Sequence, residues 1–145
     1  VLNGVHVATC LWRLGRLLPG DADADGVQLA LDPAFSRLLM LTERFARRGN
    51  LDSRGLSSVL AAVAHLRKSC ESCPLFLPLV EVCAGSLGKL ARHANAQDLA
   101  NGAWAVAKLG LREHHLREAF FREVSREALV KFRDFTLQGL SNLLW

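Results

Sequence analysis

The sequence predicts an all-α protein, an α-solenoid of stacked helix–turn–helix repeats of about 40 residues. Three observations predict it. Strand signals are nearly absent: there are no alternating β-branched runs, no Tyr, and no Asn-Gly or Asp-Gly pair joining two such runs. Apolar residues return at helical spacing among frequent Leu, Ala, Arg and Glu. Leu99, Ala103, Val106 and Gly110 fall on one side of a helix, with Trp104 and Ala107 beside them; Leu38, Leu41 and Phe45, and Leu116, Phe120 and Val124, do the same in two others. Four segments also line up: VATCLWRLGRL from Val7, LSSVLAAVAHL from Leu56, LANGAWAVAKL from Leu99 and LSNLLW from Leu140.

The anchors Val7, Leu56, Leu99 and Leu140 are 49, 43 and 41 residues apart. Each aligned segment is the first helix of a repeat, helix A, and a second helical pattern, helix B, lies between successive copies. The B helices are expected near 33–48, 78–92 and 114–132. The first repeat covers residues 1–48, with a loop insertion over 19–32; the second covers 49–92, the third 93–134, and 135–145 begins a fourth. Pro19, Pro33, Pro74 and Pro78 sit at boundaries or in first helical turns, and Asp32 before Pro33 reads as an N-cap followed by an N1 proline. Neither helix of such a repeat can bury its apolar face alone, so stacking must supply the core. Trp12, Trp104 and Trp145 share one place in the alignment, which Ala61 takes in the second copy. The tryptophans are expected to fill the gaps between adjacent repeats, each burying ~150–250 Å².

Composition narrows the class of protein. Half of the 145 residues are hydrophobic, too many for a disordered chain. Lys and Arg exceed Asp and Glu by four (18 − 14), which suits an anionic partner without requiring one. No run of 18 uncharged apolar residues occurs, so no membrane partner is expected. Four cysteines in this length are too sparse for a disulfide scaffold and indicate a reducing compartment. No signal or transit peptide is visible at Val1, and the incomplete first and last units read as part of a longer array.

Metal and catalytic chemistry find little support. Asp21, Asp23, Asp25 and Gly26 copy the start of a calcium loop, but Asp32 stands where a bidentate Glu is needed and Gln28 where an aliphatic residue is usual. The first repeat spacing exceeds the others by six to eight residues (49 against 43 and 41), so the eight residues PGDADADG read as an insertion between helices A and B. Cys70 and Cys73 form a single C-x-x-C without a second ligand pair, and Cys83 lies within an apolar helix and reads as core. His114 and His115 lack a metalloprotease context and read as surface residues. There is no P-loop, nucleophile elbow or dinucleotide fingerprint, so neither an enzyme nor a cofactor is expected.

Helix A carries a polar stripe. It runs Thr9, Arg13, Arg16 in the first copy, Ser58, Ala62, His65 in the second and Asn101, Ala105, Lys108, Arg112 in the third; Asn142 opens it in the fourth. One place is always a short hydrogen-bonding side chain and another is Arg, His or Lys. Aligned over a stack, these would form a polar ladder above a basic track, able to read base edges and hold phosphates. The alternative is an ordinary solvated helix face with cations near its C-terminus. Arg44, Arg47, Arg48 and Arg54 form a second basic cluster, in which Glu43 can pair with Arg47. Arg117, Arg122 and Arg126 alternate with Glu118, Glu123 and Glu127, a pattern that suits a self-paired outer face.

The stretches QDLANGAWAVAKLG from Gln97 to Gly110 and LQGLSNLLW from Leu137 to Trp145 resemble the helix-A motif of the octotricopeptide-repeat family. Gln97, Leu99, Asn101, Trp104, Ala107, Lys108, Leu109 and Gly110 carry the match, with Gln138, Leu140, Ser141, Asn142, Leu144 and Trp145 in the last unit. The first copy keeps Trp12 but has Thr9 for Asn and Gly15 for Ala; the second has Ser58 for Asn and Ala61 for Trp. The resemblance implies an RNA-binding helical-repeat protein of organelle gene expression. It would contact ribosomal or messenger RNA, among other proteins of a ribonucleoprotein particle such as an organellar ribosome. It implies a mitochondrial location, with the plastid as alternative. A protein–protein scaffold of HEAT or armadillo type, without nucleic acid, is the other reading of the same helices.

Overall fold

The computed structural model describes residues 2–18 and 29–144, and all regular structure among them is helical. Helix α1 spans Gly4–Leu17, α2 Pro33–Arg47, α3 Ser53–His65, α4 the single turn Arg67–Cys70 and α5 Phe76–Leu90. Helices α6 (Ala96–Leu109), α7 (His114–Val130) and α8 (Leu137–Leu144) follow, with 3-10 turns at Ala91–His93 and Phe132–Asp134. The B helices α2, α5 and α7 match the expected ranges to within two residues at each end. The insertion expected at 19–32 and the calcium-like aspartates Asp21, Asp23 and Asp25 lie almost wholly outside the described residues.

Every A helix begins on a side-chain cap at the same register. Asn3, Asp52 and Asn95 accept from the amides of His6, Gly55 and Asp98 at 3.1, 2.7 and 2.8 Å, and Thr136 Oγ1 accepts from Gly139 at 3.1 Å. Their spacings of 49, 43 and 41 (52 − 3, 95 − 52, 136 − 95) reproduce the repeat period. Each cap satisfies an amide that has no intrahelical partner, so the period is set partly by where helices can start. Asp32 caps α2 through the Ala34 amide at 2.7 Å with Pro33 at N1, as expected.

The helices form two rows. In one, α1 packs on α3, α3 on α6 and α6 on α8; in the other, α2 packs on α5 and α5 on α7. Contacts of α1 with α2, α3 with α5 and α6 with α7 join the rows. Leu11, Leu39, Leu56, Leu60, Leu79, Leu87, Leu99 and Phe120 are fully buried in one connected core. Neighbours in the A row approach closely: a Cβ added to Gly15 of α1 would stand 3.1 Å from Ala62 Cα and 3.2 Å from its carbonyl oxygen.

Two packing expectations are corrected. Trp12 does not fill a gap between helices, being 41% exposed, whereas Trp104 is half-buried, packs against the core and meets His65 of α3. The close contact of α1 with α3 goes to small residues, Gly15 against Ala62, and an indole there would hold the helices apart. Trp145 lies outside the described residues. In α2 the buried stripe is Phe35, Leu39, Thr42 and Ala46, and Leu38, Leu41 and Phe45 flank it at half burial. Apolar spacing alone passed over Thr42, which can be buried because its hydroxyl donates to the Leu38 carbonyl at 2.7 Å.

Candidate nucleic-acid interface

Repeat register puts four residues of each A helix on one face: Thr9, Trp12, Arg13 and Arg16 on α1; Ser58, Ala61, Ala62 and His65 on α3; Asn101, Trp104, Ala105 and Lys108 on α6. Asn142 continues the series on α8. Thr9, Arg13, Arg16, His65 and Arg112 are exposed, and Ser58, Asn101, Lys108 and Asn142 are half-buried. All nine reach solvent. The stripe is narrower than the sequence implied, because Ala62 and Ala105 are buried, Ala62 against Gly15 of α1. Arg13, at the equivalent place on α1, stays in solvent.

The stripe is aromatic as well as basic, which sequence reasoning missed. The Arg16 guanidinium carbon lies 5.0 Å from the centre of the Trp12 ring, and Lys108 Nζ 4.8 Å from that of Trp104. Both are i,i+4 pairs in which a cation faces the negative ring face. His65 reaches across from α3 to α6, with its ring centre 5.1 Å from that of Trp104 at a tilt of 42°. Partial burial, then Lys108, then Arg16 hold its pKa below the usual 6.5. Three A helices thus contribute to one patch, ordered Trp12, Arg16, His65, Trp104, Lys108. Its signal in the sequence was the repeated W-x-x-x-[KR] spacing, read only as packing.

Other polar residues are structural. Asp98, the acidic residue of the Gln-acidic-Leu opening, is buried and accepts from Ser53 Oγ and Ser57 Oγ of α3, both at 3.3 Å. Arg67 donates to the Lys108 carbonyl at 2.8 Å and pairs with Glu71 at 3.2 Å, tying α4 to the end of α6. Lys131 Nζ donates to the carbonyls of Ala91, Arg92 and Ala94 at 3.3, 2.8 and 2.7 Å. It borders an open depression of about 610 Å³, at the opposite end of α6 from Lys108, lined also by Arg92, His93, Asn95 and Asp134.

In the second basic cluster Arg47 pairs with Glu43 as expected, and Arg44, Arg48 and Arg54 are exposed. The last B helix is self-paired in part. Arg126 pairs with Glu123 at 2.6 Å and with Glu127 at 3.5 Å, but Glu127 is buried and also faces Lys131 at 3.5 Å, and Arg117 donates to the Leu111 carbonyl at 3.3 Å.

Cys83 is core, as expected: burial, then the Glu43 charge, pushes its thiol up to about 12. Cys73 is also buried, while the side chain of Cys70 lies outside the described residues. His114, His115 and Glu118 are exposed and bring their donor atoms within 4.8 Å of one another. The i,i+4 pairing of His114 with Glu118, at 3.6 Å, draws that group together. Among the described residues, no helix is long and apolar enough to cross a membrane.

Comparison of the chain with protein-family models, with curated proteins and with solved structures finds no match.

Proposed function

We propose that this chain is an α-solenoid segment that binds RNA through its row of A helices, as the resemblance to octotricopeptide repeats implies. One observation carries the reading: Thr9, Arg16, Ser58, His65, Asn101, Lys108 and Asn142, chosen by register alone, all keep access to solvent on one row of helices. Short hydroxyls and amides in that row can meet base edges, while Arg13, Arg16, Lys108 and Arg112 meet phosphates. The repeated caps and the succession of A–A and B–B contacts support the solenoid. The resemblance extends the proposal to organelle gene expression: ribosomal or messenger RNA as target, a ribonucleoprotein particle such as an organellar ribosome as setting, and the mitochondrion ahead of the plastid.

Binding of an unstructured RNA, followed against salt in the wild type and in Arg16→Gln/His65→Gln/Lys108→Gln, tests the reading. The variant is expected to bind more weakly with a shallower slope, by roughly 0.7 for each phosphate of a single strand that is no longer neutralised. Equal affinity and equal slope in both proteins would sink the basic track. Crosslinked pull-down from cells identifies the RNA.

The scaffold reading also has an observation on its side. Phe132, Leu137 and Leu144 are 59%, 88% and 87% exposed, whereas Ala91, Ala96 and Ala103, 41 residues earlier, are buried. A partner retained after ribonuclease treatment, with no RNA crosslinked, would favour it.

A further inference from the structure

Tryptophan is an unusual residue to leave on a helix surface, because its large apolar ring gains most from burial. Here it recurs at one register: Trp12 on α1 is exposed, and Trp104 on α6 is half-buried against the core with part of its surface open to solvent. Each indole is covered by the flexible cation four residues on, Arg16 or Lys108. Between them, His65 packs its ring on Trp104. Neither cation has an acidic partner among the ion pairs of the described residues. An Arg or Lys held only over a ring can swing on its aliphatic stem and leave that ring face open.

We infer that the patch is a stacking platform for single-stranded RNA, on which bases replace Arg16 over Trp12 and Lys108 over Trp104 while the displaced cations take the adjoining phosphates. This rests on the RNA-binding reading above and specifies which form of RNA is held. A duplex hides its base faces in its own stack and could meet only the cations, whereas an unpaired base offers a ring face to an indole. The layout suits one strand. Trp12 and Trp104 stand two A-helix spacings apart, ~16–20 Å at the usual 8–10 Å between packed helices. A single strand of several nucleotides spans that distance. His65 lies between, and in the free protein burial, Lys108 and Arg16 disfavour its protonated form, so it presents a ring and a hydrogen-bonding edge to an incoming strand. Binding is thus an exchange of partners, cation from ring to phosphate and base from solvent to ring, with no bond made or broken.

Fluorescence anisotropy with an unstructured RNA of about ten nucleotides, and with the same sequence as a duplex, tests this. The wild type is expected to bind the single strand more tightly and to lose indole emission on binding. Trp12→Leu and Trp104→Leu should each weaken single-strand binding roughly 5–100-fold with an unchanged salt slope, remove part of the quenching, and leave duplex binding as it was. Trp104→Phe, which keeps a ring in a half-buried place, should retain most of the affinity and covers the case in which Trp104→Leu fails to fold. Single-strand binding unchanged in Trp12→Leu and Trp104→Leu, or equal affinity for strand and duplex, would overturn the stacking platform and leave an RNA-binding protein that holds phosphates alone. No binding of either RNA by the wild type would overturn both readings.

Discussion

At the scale of residues, the balance of burial and charge decides what each group can do. His65 has Arg16 and Lys108 near it and a partly buried ring, and all three disfavour its protonated form. Its folded pKa is therefore below the unfolded one. The unfolded chain takes up the proton first as pH falls, so the native state loses stability once pH drops below about 6.5 and through the folded value. In Lys108→Gln, the His65 titration followed by NMR is expected to move up toward 6.5 without reaching it, since burial remains. A shift downward would contradict the placement of Lys108 beside it. Gly110 ends α6 at φ +63°, where nothing lies within 4 Å of an added Cβ. Gly110→Ala thus changes only backbone strain, and urea unfolding should show a loss of about 1 kcal/mol.

At the scale of elements, the caps and the bonds between A helices do the organising. Asp98 sits in the first turn of α6, where its charge suits the helix dipole, and it accepts from two serines of α3. Asp98→Ala leaves Ser53 and Ser57 without that acceptor, and denaturant unfolding is expected to show a loss of about 1–3 kcal/mol. Ser57→Ala should then lose less in the Asp98→Ala background than in the wild type, because the two side chains share one interaction. Additive effects would mean that the hydroxyl and the carboxylate act separately. Helix identity, order and most boundaries were legible because caps, prolines and 3.6-residue spacing are local. The 3-10 turns at Ala91–His93 and Phe132–Asp134 were not: the expected B helices ran straight into them. Nor was the buried stripe of α2, because a Thr satisfied by its own helix counts as polar in a pattern of apolar residues.

At the scale of the whole molecule, side chains shared by several helices hold the two rows together. Phe120 of α7 is fully buried, and Cβ atoms added to Gly88 of α5 and Gly102 of α6 would each lie 3.7 Å from its ring. Phe120→Ala should remove about 3–5 kcal/mol in chemical denaturation. Trp12→Leu, at an exposed place, should remove less than about 1 kcal/mol. A larger loss from Trp12→Leu than from Phe120→Ala would return the tryptophan to the core.

That the chain is helical, and at what intervals its aligned segments recur, is legible in residue order alone. Those properties arise from hydrogen bonds and side-chain spacings within a few residues. Which residues meet the next helix depends on packing across the row. Trp104 and Ala105 differ by about 100° around α6, and an amphipathic pattern tolerates either facing inward; on α1 both Trp12 and Arg13 stay exposed. Gly15 approaches Ala62 closely, so small residues occupy that contact; Trp12 goes to the surface and Trp104 to the half-buried edge of the core, each covered by a cation.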